Sequence, residues 1–316
     1  MTIELFELDH LSSRTHGSRT TRVGVEQELI VRDARTGGTV SLDRLRRALA
    51  ANPYREHVTF EPGGQLELSL PCAADATAAA RSLRTAVAAV RLDAGRAGIE
   101  LLDDAVDDRP SVPRLLRSPR YDAMERHFDS IGPAGRVMMR RTASTQVCLD
   151  WWSGEAGVEQ WRALQLCGPM LAAAYARGAG PGSRLATWLA VDPDRTAFDD
   201  RLLHGVPVAA YGRFASGAVR FADPHLTTLF PPVRPRGGYL EVRYLDAQPM
   251  ERVGEPIEVL ARIAHDDVVR RGVLAELEPR ACHLADDWQA AAAGCPALVA
   301  RGRALAAAVL GTAVAA

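Results

Sequence analysis

The chain has 316 residues, 47% of them hydrophobic, enough to bury one sizeable core and, by length, to form one large domain or two ordinary ones. A formal net charge of -1 offers no general basic field for nucleic acid or for an acidic membrane surface, so the expected partners are small molecules. All 38 cationic side chains are arginine; without lysine there is no Walker A phosphate loop, no Schiff-base chemistry and no Ser-Lys pair, and any phosphate must be held by arginine, metal or backbone amides.

In chain order, the opening MTIELFELDH carries acidic side chains where a signal peptide has a basic flank and an apolar run, and the Ala-rich stretches are interrupted by Arg or Asp. A cytoplasmic protein without a membrane span is expected. Residues 22–32, RVGVEQELIVR, alternate Val23, Val25, Gln27 and Leu29 with Gly24, Glu26, Glu28 and Ile30, which predicts a strand. Residues 42–51 have helical spacing. Within 58–70 a Pro-Gly-Gly break separates two extended pieces, the second pointing Leu66, Leu68 and Leu70 one way and Gln65, Glu67 and Ser69 the other. Residues 73–98 predict an amphipathic helix closed by a glycine. A short strand over 99–104, a helix over 121–128, a strand over 142–151 and a helix over 159–175 follow. The stretch 177–221 is too broken by Gly and Pro to assign, 238–245 predicts a strand, and the chain from Pro256 onward is mostly helical. With no internal repeat and no low-complexity linker, one α+β domain over residues 1–316 is the simplest organisation. Cys72, Cys148, Cys167, Cys282 and Cys295 lie far apart with no C-x-x-C pair and read as reduced thiols.

The strands share a property that ordinary core strands lack, in that each carries charged or amide side chains on one face at period two: Glu26 with Glu28, Gln65 with Glu67, Ser144 with Gln146, and Glu241 with Arg243. If these strands are neighbours, one sheet face becomes a basin of carboxylates whose mutual repulsion calls for divalent cations. Oxygen ligands without a His or Cys cluster point to Mg²⁺ or Mn²⁺, and carboxylate-held Mg²⁺ in turn points to a nucleotide. Each pattern taken singly has a plainer reading: E-x-E is a common solvated sheet face, E-x-R a common surface ion pair, and the glycines of EPGG common turn formers.

The segments GVEQEL (24–29), FEPGGQLELS (60–69), RYDAMERHF (120–128), TASTQVCLD (142–150) and HLTTLFPPVRPRGGYLEVRYLDAQP (225–249) resemble the glutamate-cysteine ligase family, nearest its actinobacterial branch serving ergothioneine biosynthesis, with plant-type enzymes further away. The resemblance implies a glutamine synthetase-like fold: a strongly curved, largely antiparallel sheet forming a funnel, with helices on the outside. It implies an ATP- and Mg²⁺-dependent ligase that joins glutamate to cysteine through γ-glutamyl phosphate. Family metal ligands carry over onto Glu26, Glu28, Glu61, Glu67, Gln146 and Glu241; catalytic roles onto Glu241 and Arg243; substrate or nucleotide contacts onto Arg120, Thr142, Arg184 and Arg243.

The sequence also departs from the family's pattern. AYARGAGPGSR (174–184) replaces an Asn-Ser-Pro segment, residues 201–224 and the C-terminal helical region are shortened, Cys148 stands where relatives have Asn, and Arg140 and Arg141 precede Thr142. These departures leave open a ligase that uses a different amine or acid, or a catalytically silent metabolite-binding homologue. Of the remaining residues, His225 reads as structural, Asp192 and Arg195 as a helix cap or a ligand contact, and Trp151 and Trp152 as core.

Overall fold

The computed structural model describes residues 19–311, so the expectation drawn from the first ten residues falls outside it. The strands are β1 (Val23–Asp33), β2 (Val58–Phe60), β3 (Leu66–Ser69), β4 (Ile99–Leu102), β5 (Thr145–Asp150), β6 (Val233–Arg236) and β7 (Tyr239–Val242). They form an antiparallel sheet in the order β2-β3-β1-β5-β7-β6, with β4 paired to the last four residues of β1.

Residues directly opposite one another in an antiparallel pair share a face. The register sets Glu26 opposite both Ser69 and Gln146, Glu28 opposite Glu67, and Glu241 opposite both Cys148 and Arg234, so the polar residues of five strands collect on one side. The other side carries Val25, Leu29, Leu66, Leu68, Val147, Leu149, Leu240 and Val242, all buried. Two polar residues on that apolar side satisfy each other: the Thr145 hydroxyl donates to Gln27 Oε1 at 2.7 Å.

The helices are α1 (Leu42–Ala48), α2 (Ala76–Arg96), α3 (Pro119–Asp129), α4 (Ala134–Arg141), α5 (Gly154–Leu166), α6 (Gly168–Ala174), α7 (Arg184–Leu189), α8 (Pro193–Thr196), α9 (Pro207–Gly217), α10 (Gly254–His265), α11 (Asp267–Leu277), α12 (Leu284–Ala292) and α13 (Pro296–Gly311). Helices α2, α5 and α10 pack against the apolar sheet face. In α2 the buried residues Ala76, Ala79, Ala80, Leu83, Ala86, Val87, Val90 and Ala94 recur at three- and four-residue steps, and the Asp75 side chain caps its first turn by accepting from Ala78 N. A smaller apolar cluster lies on the polar side of the sheet, built from Met124 and Phe128 of α3, Met138 and Met139 of α4, Trp188 of α7, Val191 and Phe230. Among the described residues no single helix is long and apolar enough to cross a membrane.

The elements expected from the alternating and amphipathic patterns are present with ends moved by a few residues, most of them shorter, the helix expected over 121–128 longer at Pro119–Asp129. The helix expected over 159–175 is two, α5 and α6, because Pro169 sits in the first turn of the second and cannot continue the first. There Gly168 lets the chain pass Trp288, since a Cβ at that position would lie 2.7 Å from the indole. Helix α4 and strand β6 were not expected; β6 reads VRPR, whose proline and two arginines hide a strand at the sheet edge. The unassigned stretch 177–221 folds as α7, α8, a 3-10 turn (Asp200–Leu203) and α9.

Leu83 is fully buried between α2 and the sheet. Leu83→Ala is expected to cost about 2–5 kcal/mol, read as a lower denaturant midpoint with an unchanged slope.

Candidate active site

A cavity of about 260 Å³ lies between the polar sheet face and the smaller apolar cluster. Glu26 and Glu28 of β1, Glu67 of β3, Glu61 in the turn before β3 and Glu241 of β7 line its floor, together with Gln65, Gln146, Arg234 and Arg243. Oxygens of Glu28, Glu61 and Glu67 all come within 4.8 Å of one another. Glu28 is oriented by Ser144 N (2.7 Å) and Gln146 Nε2 (3.2 Å), and Glu67 by the Thr59 hydroxyl (2.8 Å). Among the described residues no ion pair reaches Glu26, Glu28, Glu61 or Glu67.

The electrostatics follow from that crowding. Burial, and then the charges of Glu241 and Glu67, push Glu26 up to about 7. Burial and Glu67 raise Glu28 to about 7, while burial, Glu28 and Glu67 raise Glu61 to about 8. These are groups that ionise only against one another's field, and an oxygen-only donor set of this kind fits a hard divalent cation such as Mg²⁺ or Mn²⁺.

Glu241 is the opposite case. Burial alone would raise it, but Arg234 and Arg243 outweigh burial and hold it near 2. Arg234 grips both of its oxygens at 2.8 Å, and Arg243 Nη1 reaches one of them at 2.5 Å and Gln146 Oε1 at 2.6 Å. Gln146 and Glu241 therefore face arginines here, whereas Glu28, Glu61 and Glu67 face one another. Arg243 Nε and Gln65 Oε1 are buried without a partner at the cavity.

The remaining expected residues divide. Arg120 lines the cavity from α3, its guanidinium over the Tyr121 ring and 3.4 Å from the Thr227 carbonyl. Thr142 also lines it, but its hydroxyl donates to Met138 O at 2.8 Å and its carbonyl accepts from Gln65 Nε2 at 2.9 Å. Arg184, expected at the substrate, does not line this cavity. It is buried against the main chain of β7's continuation, donating to the carbonyls of Arg243 (2.9 Å) and Tyr244 (3.4 Å). Arg184 borders a second cavity, of about 460 Å³, with Asp104, Asp246 and the loop 178–183. Asp192 caps α8 by accepting from Asp194 N; His225 is buried with a ring nitrogen at the Ala215 carbonyl; Trp151 and Trp152 are core. Arg234, Arg236, Trp188 and the methionine wall were missed; the signal for Arg234 was its alternation with Arg236 across a Gly-Gly turn from Tyr239 and Glu241.

An antiparallel sheet backed by helices on its apolar face carries on its polar face a cavity lined by carboxylates and arginines, suited to hold a hard cation beside an anionic group. The sequence matches glutamate-cysteine ligase family 2 (GCS2) over residues 22–177 and 186–316, and the chain belongs to that family. It is 30% identical over 285 residues to the glutamate-cysteine ligase EgtA of Mycolicibacterium smegmatis, covering 76% of this chain and 66% of the relative. It is 29% identical over 323 residues to EgtA of Mycobacterium tuberculosis (strain CDC 1551 / Oshkosh), covering 86% and 74%. The chain thus spans between about two thirds and three quarters of the length of these relatives. The fold is similar to that of a glutamate-cysteine ligase from Francisella tularensis crystallised with AMP, with a TM-score of 0.53 and 15% identity over 92% of this chain and 82% of that one.

The raised carboxyls make stability fall as pH rises. Glu26, Glu28 and Glu61 keep their protons in the folded state above the ordinary value of 4.5, at which the unfolded chain releases them. Their contribution is therefore complete below about pH 4.5 and lost as pH climbs through about 7 to 8, while Glu241 contributes a constant term across that window. The metal-free protein is expected to melt at progressively lower temperature from about pH 5 to pH 8, and millimolar Mg²⁺ to raise the melting temperature more at the upper end. A metal-free melting temperature independent of pH would contradict this electrostatic account.

Proposed function

We propose that this chain is a cytoplasmic enzyme that uses ATP to phosphorylate the side-chain carboxylate of glutamate and joins the acyl group to an amine, with cysteine, the acceptor named for its relatives, giving γ-glutamylcysteine. The observation that carries the reading is the meeting of Glu28, Glu61 and Glu67 within 4.8 Å beside the Arg234–Glu241–Arg243 cluster. A carboxylate is a poor electrophile, and the reaction needs charge offset on a phosphoryl group more than it needs a covalent nucleophile. Such chemistry suits a lysine-free chain whose cysteines are scattered.

Glu28, Glu61 and Glu67, with Glu26 beside them, would hold Mg²⁺ or Mn²⁺, which supplies charge neutralisation on phosphate oxygens when bound. Gln146 and Glu241 complete the ring of oxygen ligands in this reading, and in the substrate-free arrangement they hold Arg243 in place. Arg243 keeps its buried Nε free of partners at the cavity, available to an acyl or phosphoryl oxygen. Arg120 would meet the substrate from the α3 side. Thr142 fixes the wall through Gln65, and Arg184 steadies the main chain under Arg243. The AMP-bound Francisella relative agrees with a nucleotide substrate. The catalytic unit is a single domain in this reading.

The family match leaves out residues 178–185, the loop beside the second cavity, so the amine is the element to test across a panel. A silent binding protein fits the cavity less well, because buried carboxylates without cations cost stability and serve no purpose in it. The test is ADP release measured with glutamate and each of several amines, followed by mass identification of the product. Release is expected to need both glutamate and an amine, and Arg243→Met to lower kcat on the order of 10²–10³-fold with the fold intact. Glutamate binding without any ATP turnover would sink the ligase reading in favour of the silent one.

A further inference from the structure

The turn that carries Glu61 is gripped from two sides. The Pro62 carbonyl accepts from Leu115 N at 2.7 Å and Leu116 N at 3.3 Å, and the turn closes on itself through Gly64 N to Glu61 O (2.8 Å) and Glu61 N to Gln65 O (2.9 Å). On the other side Gly63 abuts the end of α4: a Cβ there would fall 2.1 Å from the Arg140 carbonyl oxygen, a main-chain atom that cannot swing aside. Gly64 has a φ of +90°, where side chains are strained, and its own Cβ would lie 2.6 Å from Leu115 Cδ1. Only a two-glycine turn fits between these walls.

Both walls are tied to one carboxylate outside the cavity. Glu125 of α3 pairs with Arg114 Nη1 at 3.3 Å and with Arg140, and Arg136 stands 3.7 Å away. Arg114 directly precedes Leu115, which donates to Pro62, and Arg140 is the residue whose carbonyl meets Gly63. All three side chains are largely withdrawn from water, at 16% exposed for Glu125, 14% for Arg114 and 17% for Arg140, so the pairing is far less screened than at a surface. Arg114 is further anchored to Asp122 on the same helix.

We propose that Glu125 is a positioning residue for Glu61: by holding Arg114 and Arg140 it fixes the two walls between which the Pro62-Gly63-Gly64 turn is clamped, and so sets where the Glu61 carboxylate stands relative to Glu28 and Glu67. The inference rests on the reading of that cluster as a divalent-cation site. Glu125 does not line the cavity; releasing it lets the turn drift, and a site built from three carboxylates on separate segments loses affinity when one is displaced.

The test is Mn²⁺ binding to the substrate-free protein, followed by electron paramagnetic resonance, with thermal unfolding as a check of the fold. Glu61→Gln is expected to remove the tight Mn²⁺ site. Glu125→Gln and Gly63→Ala are each expected to weaken it about 10- to 100-fold, with Glu125→Asp recovering part of the loss. At saturating metal, kcat should fall less than affinity does. Wild-type affinity in Glu125→Gln, alongside a loss in Glu61→Gln, overturns the positioning role and leaves the metal reading standing. Wild-type affinity in Glu61→Gln overturns both. Should Glu125→Gln unfold, Arg114→Gln, which removes one of its two partners, carries the same expectation.

Discussion

Repulsion among carboxylates that share one sheet face is the constraint on which the rest of this structure turns. Glu26 and Glu28 come from one strand, Glu67 from its neighbour and Glu61 from the turn before it, and among the described residues no arginine is paired with any of them. The fold tolerates the arrangement by letting the carboxyls hold protons and by stationing its arginines one strand further on, around Glu241. The result is a cavity with a sharp internal gradient, strongly proton-retaining on the β1–β3 side and locked into ion pairs on the β7 side. A metal-bound phosphate chain needs such a surface, with ligands for the cation at one end and donors for the anion at the other.

Much of this was legible in the sequence. The period-two alternation of RVGVEQELIVR and LELS, together with the pairing GYLEVRY, was enough to place Glu26, Glu28, Glu67 and Glu241 on the polar faces of their strands. The family resemblance supplied the strand adjacency that alternation alone cannot provide, because period two says which face a residue takes but not which strand lies beside it. The register then showed why the faces coincide: Glu28 lies directly opposite Glu67, and Glu26 opposite Gln146.

What could not be read has physical reasons as well. Strand β6 was invisible because VRPR has no apolar alternation beyond Val233 and Pro235, and its pairing is decided by the Gly-Gly turn and by Glu241 across the ladder. The direction of Arg184 could not be read, because a motif match says nothing of where a side chain turns; the guanidinium turns back to cap main-chain carbonyls, leaving its charge to be felt at Glu28 through the protein and not by contact. The methionine and tryptophan wall opposite the acidic floor comes from three short helices that meet only in three dimensions. No local pattern could have announced it.

The two-sided character of β1 also bears on how the gene can change. Its neighbours pair with it on both edges, so a single inserted or deleted residue in its first half would swap inside for outside for the part of the strand on one side of the change. Valines would then meet the acidic cavity and glutamates the helices behind. Length variation is consequently forbidden there, while the helix-to-helix connections on the far side carry no such parity and are free to shorten or lengthen.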